Sequence, residues 1–186
     1  LDYSKTSNFL SGNAPVSFSA FDLLETTTLS TTAASVTFSG LSAYSGYKHL
    51  QIRMVARSSV ASSSQNVELT FNGDTGANYS THEMEGNGSS VGVGSAASIT
   101  SLRAAQVVGT TVADAWPSAV IDILDFSSSS KYTTTRALNG WASSSIPRIF
   151  LRSGSWQNTA AITTMTLTDG GGGYIAGSRL SLIGIK

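Results

Sequence analysis

Ala161-Ile162-Thr163-Thr164-Met165-Thr166-Leu167-Thr168, Asp169-Gly170-Gly171-Gly172-Gly173 and Arg179-Leu180-Ser181-Leu182-Ile183-Gly184-Ile185-Lys186 are the stretches whose reading decides the fold. The first is β-branched at most positions, with Thr163, Met165 and Leu167 on one face and Ile162, Thr164 and Thr166 on the other, which reads as a strand. The glycines tolerate positive φ and serve as a turn. The last run is apolar on both faces, as in a strand tied into a sheet. Together they predict a hairpin at the hub of an all-β protein.

Working outward, Val16 to Phe21 and Phe21 to Leu29 are strand-like, with a change of period near Phe21 that suggests a bulge or a change of sheet. Ser35-Val36-Thr37-Phe38-Ser39 alternates and stops at Gly40. His49 to Arg57 reads as a half-buried strand, with Leu50, Ile52, Met54 and Ala56 inward and His49, Gln51, Arg53 and Arg57 outward. Val67-Glu68-Leu69-Thr70-Phe71, the turn Asn72-Gly73-Asp74-Thr75-Gly76 and Tyr79 to Glu85 predict a second hairpin.

Gly86 to Gly94 reads as a loop. Ala96 to Val108 fits a short helix and a strand equally badly and stays open between them. Ala119 to Phe126 is apolar on both faces apart from its aspartates, as expected of a central strand or one covered by a partner. Lys131 to Leu138 and Arg148 to Arg152 complete about nine or ten strands. The expected architecture is an antiparallel two-sheet sandwich, jelly-roll-like, over residues 21–186, with residues 1–20 as an extended N-terminal arm.

Composition narrows the function classes. The chain has 186 residues with 11 basic and 11 acidic side chains, no net charge and no cysteine. Absence of cysteine excludes disulfides, thiolate metal sites and cysteine nucleophiles. A balanced and sparse charge leaves no basic stripe for nucleic acid, and no apolar run reaches the about 18 residues of a membrane helix. Leu1 in place of Met suggests a trimmed chain or one that begins partway along a longer product, and the lack of a leader pattern suggests cytoplasmic synthesis.

Catalytic groupings are scarce. His49 sits on an outward strand face without a carboxylate at alternate positions. In His82-Glu83-Met84-Glu85 strand alternation separates the imidazole from both carboxylates. Asn72, Asp74, Thr75 and Asn78 offer oxygen donors but only one carboxylate, and Asp122 and Asp125 point to opposite faces. No catalytic residue, metal site or cofactor is predicted, and the chain is not expected to be an enzyme. Trp116, Trp141, Trp156, Tyr44 and Tyr47 lie beside loops, where aromatic faces serve either to close a core or to bind a sugar or a protein. Low charge and two-sided apolar strands point to packing between copies.

Several segments, in order, carry a resemblance: Phe21-Asp22-Leu23-Leu24-Glu25-Thr26, Tyr47-Lys48-His49-Leu50-Gln51-Ile52-Arg53, Leu69 to Tyr79, Ser153-Gly154-Ser155-Trp156, Thr159 to Thr163 and Gly177 to Lys186. From about Phe21 to Lys186 the chain resembles small virion proteins of tailed bacteriophages, especially those of aquatic bacteria. The resemblance implies a β-sandwich on the outer surface of the virion, made in the host cytoplasm. It further implies a capsid decoration protein, a homotrimer whose partner is the major capsid protein or another virion protein. The alternative is a head- or tail-fibre domain that recognises a host-surface polysaccharide.

Overall fold

The computed structural model describes residues 20–113, 115–143 and 146–186. The arm expected over residues 1–20 lies outside them except for Ala20. Twelve strands follow in order: β1 Phe21–Thr28, β2 Ser35–Phe38, β3 His49–Val55, β4 Gln65–Phe71, β5 Tyr79–Gly86, β6 Val91–Ile99, β7 Leu102–Val107, β8 Ser118–Leu124, β9 Thr133–Trp141, β10 Arg148–Trp156, β11 Met165–Asp169 and β12 Arg179–Ile185. They form two antiparallel sheets stacked as a sandwich. The large sheet has the order β1-β12-β3-β8-β9-β10-β5-β6 and the small one β2-β11-β4-β7. One 3₁₀ turn, Leu41–Tyr44, follows β2, entered through Gly40 at φ 67°.

The core lies between the sheets. Leu50, Ile52 and Met54 of β3, Ile121 and Ile123 of β8 and Leu180 and Leu182 of β12 face Leu69 and Phe71 of β4 and Met165 and Leu167 of β11, all buried. A smaller cluster of Val108, Val112, Ala115, Trp141 and Phe150 closes one end. Both clusters follow from alternation, since every second residue of a strand points into the same layer.

Two expected hairpins are arches between the sheets. β11 belongs to the small sheet and β12 to the large one, and β4 and β5 divide the same way. Among consecutive strands only β5–β6, β8–β9 and β9–β10 pair directly. In the β4–β5 connection the Tyr79 hydroxyl accepts from the Phe71 amide at 3.1 Å and donates to the Asp74 carbonyl at 3.0 Å, and Trp156 Nε1 donates to Asp74 Oδ2 at 2.7 Å. These bonds fix a turn that spans the layers, which a period-2 reading of the flanking strands does not distinguish from a hairpin. In the other connection Asp169, buried, accepts from Ser58 Oγ at 2.5 Å and from the Gly173 amide at 3.0 Å, holding the glycine run across the sandwich edge.

Two boundaries also move. Ala161 to Thr164 are not strand, because Asn72 substitutes for a neighbouring strand: its Oδ1 accepts from the amides of Thr163 at 2.7 Å and Thr164 at 3.1 Å and its Nδ2 donates to the Ala161 carbonyl at 2.9 Å. The loop expected over Gly86 to Gly94 is shorter, since Val91 to Gly94 already belong to β6. Gly92 and Gly94 lie under the side chains of Glu85 and Glu83, where an added Cβ would come within 3.0 and 3.1 Å. The open region Ala96 to Val108 supplies the end of β6 and all of β7, with no helix. The bulge lies at Leu24, where the β1 register shifts between Leu23 and Glu25.

Candidate interaction surface

Register places side chains of the large sheet in rows across the strands. One row on its outward face runs Val120, Leu138, Leu151, Met84, Val93 across β8, β9, β10, β5 and β6. With strands about 4.8 Å apart, the row is roughly 19 Å long. Each member is exposed, from 39 % at Val120 to 81 % at Val93. The next row, two residues along each strand, is Ser118, Gly140, Ile149, Gly86, Val91. It adds two exposed apolar side chains and three small ones.

The row on the other side is polar: Gln51, Asp122, Arg136, Ser153, His82, Ser95. Asp122 is held there by Gln51 Nε2 at 2.8 Å and Arg136 at 2.8 Å, so the one carboxylate beside the apolar row is already paired. Shallow hollows lie between the projecting side chains. One of about 430 Å³ sits over Gly140 between Val120, Leu138 and Ile149. Another of about 710 Å³ lies between Leu151, Met84 and Val93 on one side and Arg136, Ser153 and His82 on the other.

The inward face of this half of the sheet is unusually polar. β9 turns Thr133, Thr135 and Asn139 toward the small sheet, and β10 turns Arg152 the same way, each at most 6 % exposed. Asn139 accepts from the Gln106 amide of β7 at 2.7 Å and donates to the Ser118 carbonyl at 2.9 Å. Arg152 donates from Nε to Glu83 at 2.9 Å and lies 4.3 Å from the Phe150 ring centroid. Burial lowers the Arg152 pKa from its usual value, and the Glu83 carboxylate opposes that shift.

The five aromatic residues singled out in the sequence do not form one site. Trp156, at 1 % exposure, lies in the core on Phe71 and Tyr79. As folded, its ring offers no face to a ligand. Trp141 is buried against Phe150 in the end cluster. Tyr44 packs on the main core, and Tyr47 donates to Asp22 at 2.9 Å with the Lys186 ammonium 5.8 Å from its ring. Only Trp116 is open, 40 % exposed, with the Arg57 guanidinium 5.8 Å from the ring. Alternation alone does not reveal this, because a tryptophan beside a loop closes a core as readily as it faces solvent.

On β5 the titratable groups separate as strand alternation requires. His82 and Met84 are exposed while Glu83 and Glu85 turn to the other face. His49 Nδ1 accepts from the Asp125 amide at 2.9 Å, and Asp125 also pairs with Lys131. Asp74 has its carboxylate engaged by Trp156, Asn78 and the Gly76 amide, and these bonds hold its pKa below the usual carboxylate range. Among the described residues no three His, Asp or Glu side chains come together as metal ligands, and no helix is long and apolar enough to cross a membrane. Comparison with protein-family models, characterised proteins and solved structures finds no match to the chain.

The surface that sequence reasoning missed is the apolar row itself. A signal was present in the stretch from Thr133 to Trp141, where Leu138 stands alone among inward threonines and an asparagine, and in Val91-Gly92-Val93-Gly94. Both patterns become legible only once register shows which strands are neighbours.

Proposed function

We propose that the chain is a structural protein of a tailed-bacteriophage particle, a capsid decoration protein that binds the major capsid lattice on the outer surface of the head. The observation that carries this reading is the outward face of the large sheet, apolar across five strands. Such a face suits a protein that works by packing on other proteins rather than by turnover. The sequence resemblance supplies the setting. In this reading residues 1–15 engage the lattice, and several modest contacts per assembled particle combine into firm attachment.

The test is co-sedimentation of labelled protein with stripped phage heads and, separately, with intact host cells. Label on the heads, lost on deletion of residues 1–15 while the melting temperature holds, is the expected result. Equal attachment of the deletion variant would overturn the role given to that segment. Label on the cells alone would support the fibre reading, for which exposed Trp116 is the one accessible tryptophan, and Trp116→Ala would then remove cell binding.

A further inference from the structure

We propose that the outward face of the large sheet is a self-association surface, on which a second copy of this chain seats to form a two-fold dimer. It assigns an occupant to the face on which the proposed function rests and leaves lattice attachment to residues 1–15, so it can fail while that attachment holds. It rests on area, on shape and on charge.

The five-membered apolar row together with Ile149 and Val91 exposes, at roughly 100 Å² per side chain, on the order of 700 Å². That exceeds the roughly 300–600 Å² of the largest apolar patch on a typical monomer. It approaches the about 800 Å² that each partner contributes to an interface of standard size.

Shape is what selects a second copy over another occupant. Consider a two-fold axis lying in the interface, between the two rows and running across the strands. It lays each strand on its own counterpart and exchanges the rows. Val120, Leu138 and Met84 then stand over Ser118, Gly140 and Gly86 of the second copy, while Leu151 and Val93 meet Ile149 and Val91. Three large side chains thus face three small residues, and each contact occurs twice, as an isologous interface requires. The hollow of about 430 Å³ over Gly140 receives Leu138. Gly140 stays bare because a Cβ there would fall 2.7 Å from the Arg148 carbonyl oxygen. Two sheets packed in this way resemble the two layers of a sandwich, about 10 Å apart.

Charge agrees. No ionisable side chain stands in either row across β8, β9, β10, β5 and β6; the first row continues onto β3 as Arg53, opposite Val120, and Asp122 of the adjoining polar row is paired within its own copy to Arg136. A strongly charged partner would find only Arg53, at the margin, to complement, whereas a copy brings the same neutral rows and a polar rim. The result is a dimer in place of the trimer expected from the sequence.

Sedimentation equilibrium of the full chain from about 1 µM to about 100 µM reads the association directly, since these concentrations bracket a micromolar Kd. The expected species is a dimer, and Leu138→Lys yields a monomer whose melting temperature matches that of the wild type in dilute solution. Ser118→Phe discriminates further: it enlarges the apolar surface yet fills the position under Val120 of the second copy, so the Kd rises at least about tenfold. Should Leu138→Lys fail to fold, Val93→Lys on the exposed edge strand replaces it. A monomer throughout the range, a trimer, a dimer indifferent to the lysine, or tighter association of Ser118→Phe would each overturn the proposal.

Discussion

Along β3 the side chains facing the small sheet are Leu50, Ile52 and Met54, and Arg53 faces outward; along β9 the inward ones are Thr135, Ala137 and Asn139, and Leu138 faces outward. The two strands belong to one sheet, separated only by β8. Along β3 apolar surface is inside and polar surface outside, the usual result of removing apolar area from water. Toward β10 and β5 the order is reversed over much of each strand, with Arg152, Thr81 and Glu83 inward and Leu151 and Met84 outward. Asn139 is bonded to β7 and to Ser118, and Arg152 is held on Glu83 through Nε, while its two Nη groups are buried without a hydrogen-bond partner. A sheet can therefore bury hydrocarbon over one part and polar groups over another, and the second leaves its hydrocarbon exposed.

The largest test of this division is Ile52→Ala, which removes a fully buried side chain on the β3 side. It should cost about 2–5 kcal/mol by urea unfolding, and lower the melting temperature by roughly 2–4 °C per kcal/mol for a chain of this size. A loss no greater than that of Leu138→Ala would erase the distinction between the halves.

On the other side the informative pair is Glu83 and Arg152. Removing Glu83 leaves the guanidinium, whose side chain is 2 % exposed, without its counter-charge, so Glu83→Ala should destabilise by about 3 kcal/mol. Arg152→Met deletes the charge together with its need for a partner and should be near neutral or stabilising, as replacement of a buried ion by a hydrophobe of similar volume often is. If both variants lose equal stability, the pair contributes attraction rather than merely avoiding a buried orphan charge. Asn139→Ala follows in size at about 1–3 kcal/mol, because the Gln106 amide and the Ser118 carbonyl lose their partner.

How far the chain could be read from its sequence divides along the same line. The sandwich and the inward residues of β3 were legible, since Leu50, Ile52 and Met54, with Ala56 just beyond the strand, are buried as their alternation predicts. Which strands are partners was not. The Asn72–Gly76 turn has the composition of a hairpin, and only the bonds from Tyr79 and Trp156 to Asp74 show that it links the sheets. Trp156 therefore moved from candidate ligand platform to core, while the outward row went unseen because its members come from separate segments aligned by register. Pairing between strands distant in sequence is set by tertiary packing, which propensity and turn composition do not encode.

Acid should act through the turns. Asp74 and Asp125 both have depressed pKa values, Asp74 through Trp156, Asn78 and Gly76, and Asp125 through Lys131. A depressed folded-state pKa gives stability that is fully present above the unfolded value of about 3.9 and is lost as pH falls through the folded value. The melting temperature should therefore hold from neutral pH down to about 5 and decline below about 4. In Asp74→Asn the decline should be shallower, and a wild-type slope in that variant would locate the acid sensitivity elsewhere.

The smallest expected effect bears most directly on the comparison. Leu138→Ser removes an apolar side chain that is 54 % exposed and stands outside the core. In dilute protein, where the chain is monomeric, unfolding should change by no more than about 0.5 kcal/mol. In concentrated protein a partner bound only to the folded state adds stability by mass action, so the wild type should gain melting temperature with concentration and the variant should not. A large loss already present in dilute solution would mean that Leu138 is covered within a single chain, and the outward row would then belong to the core of its own monomer.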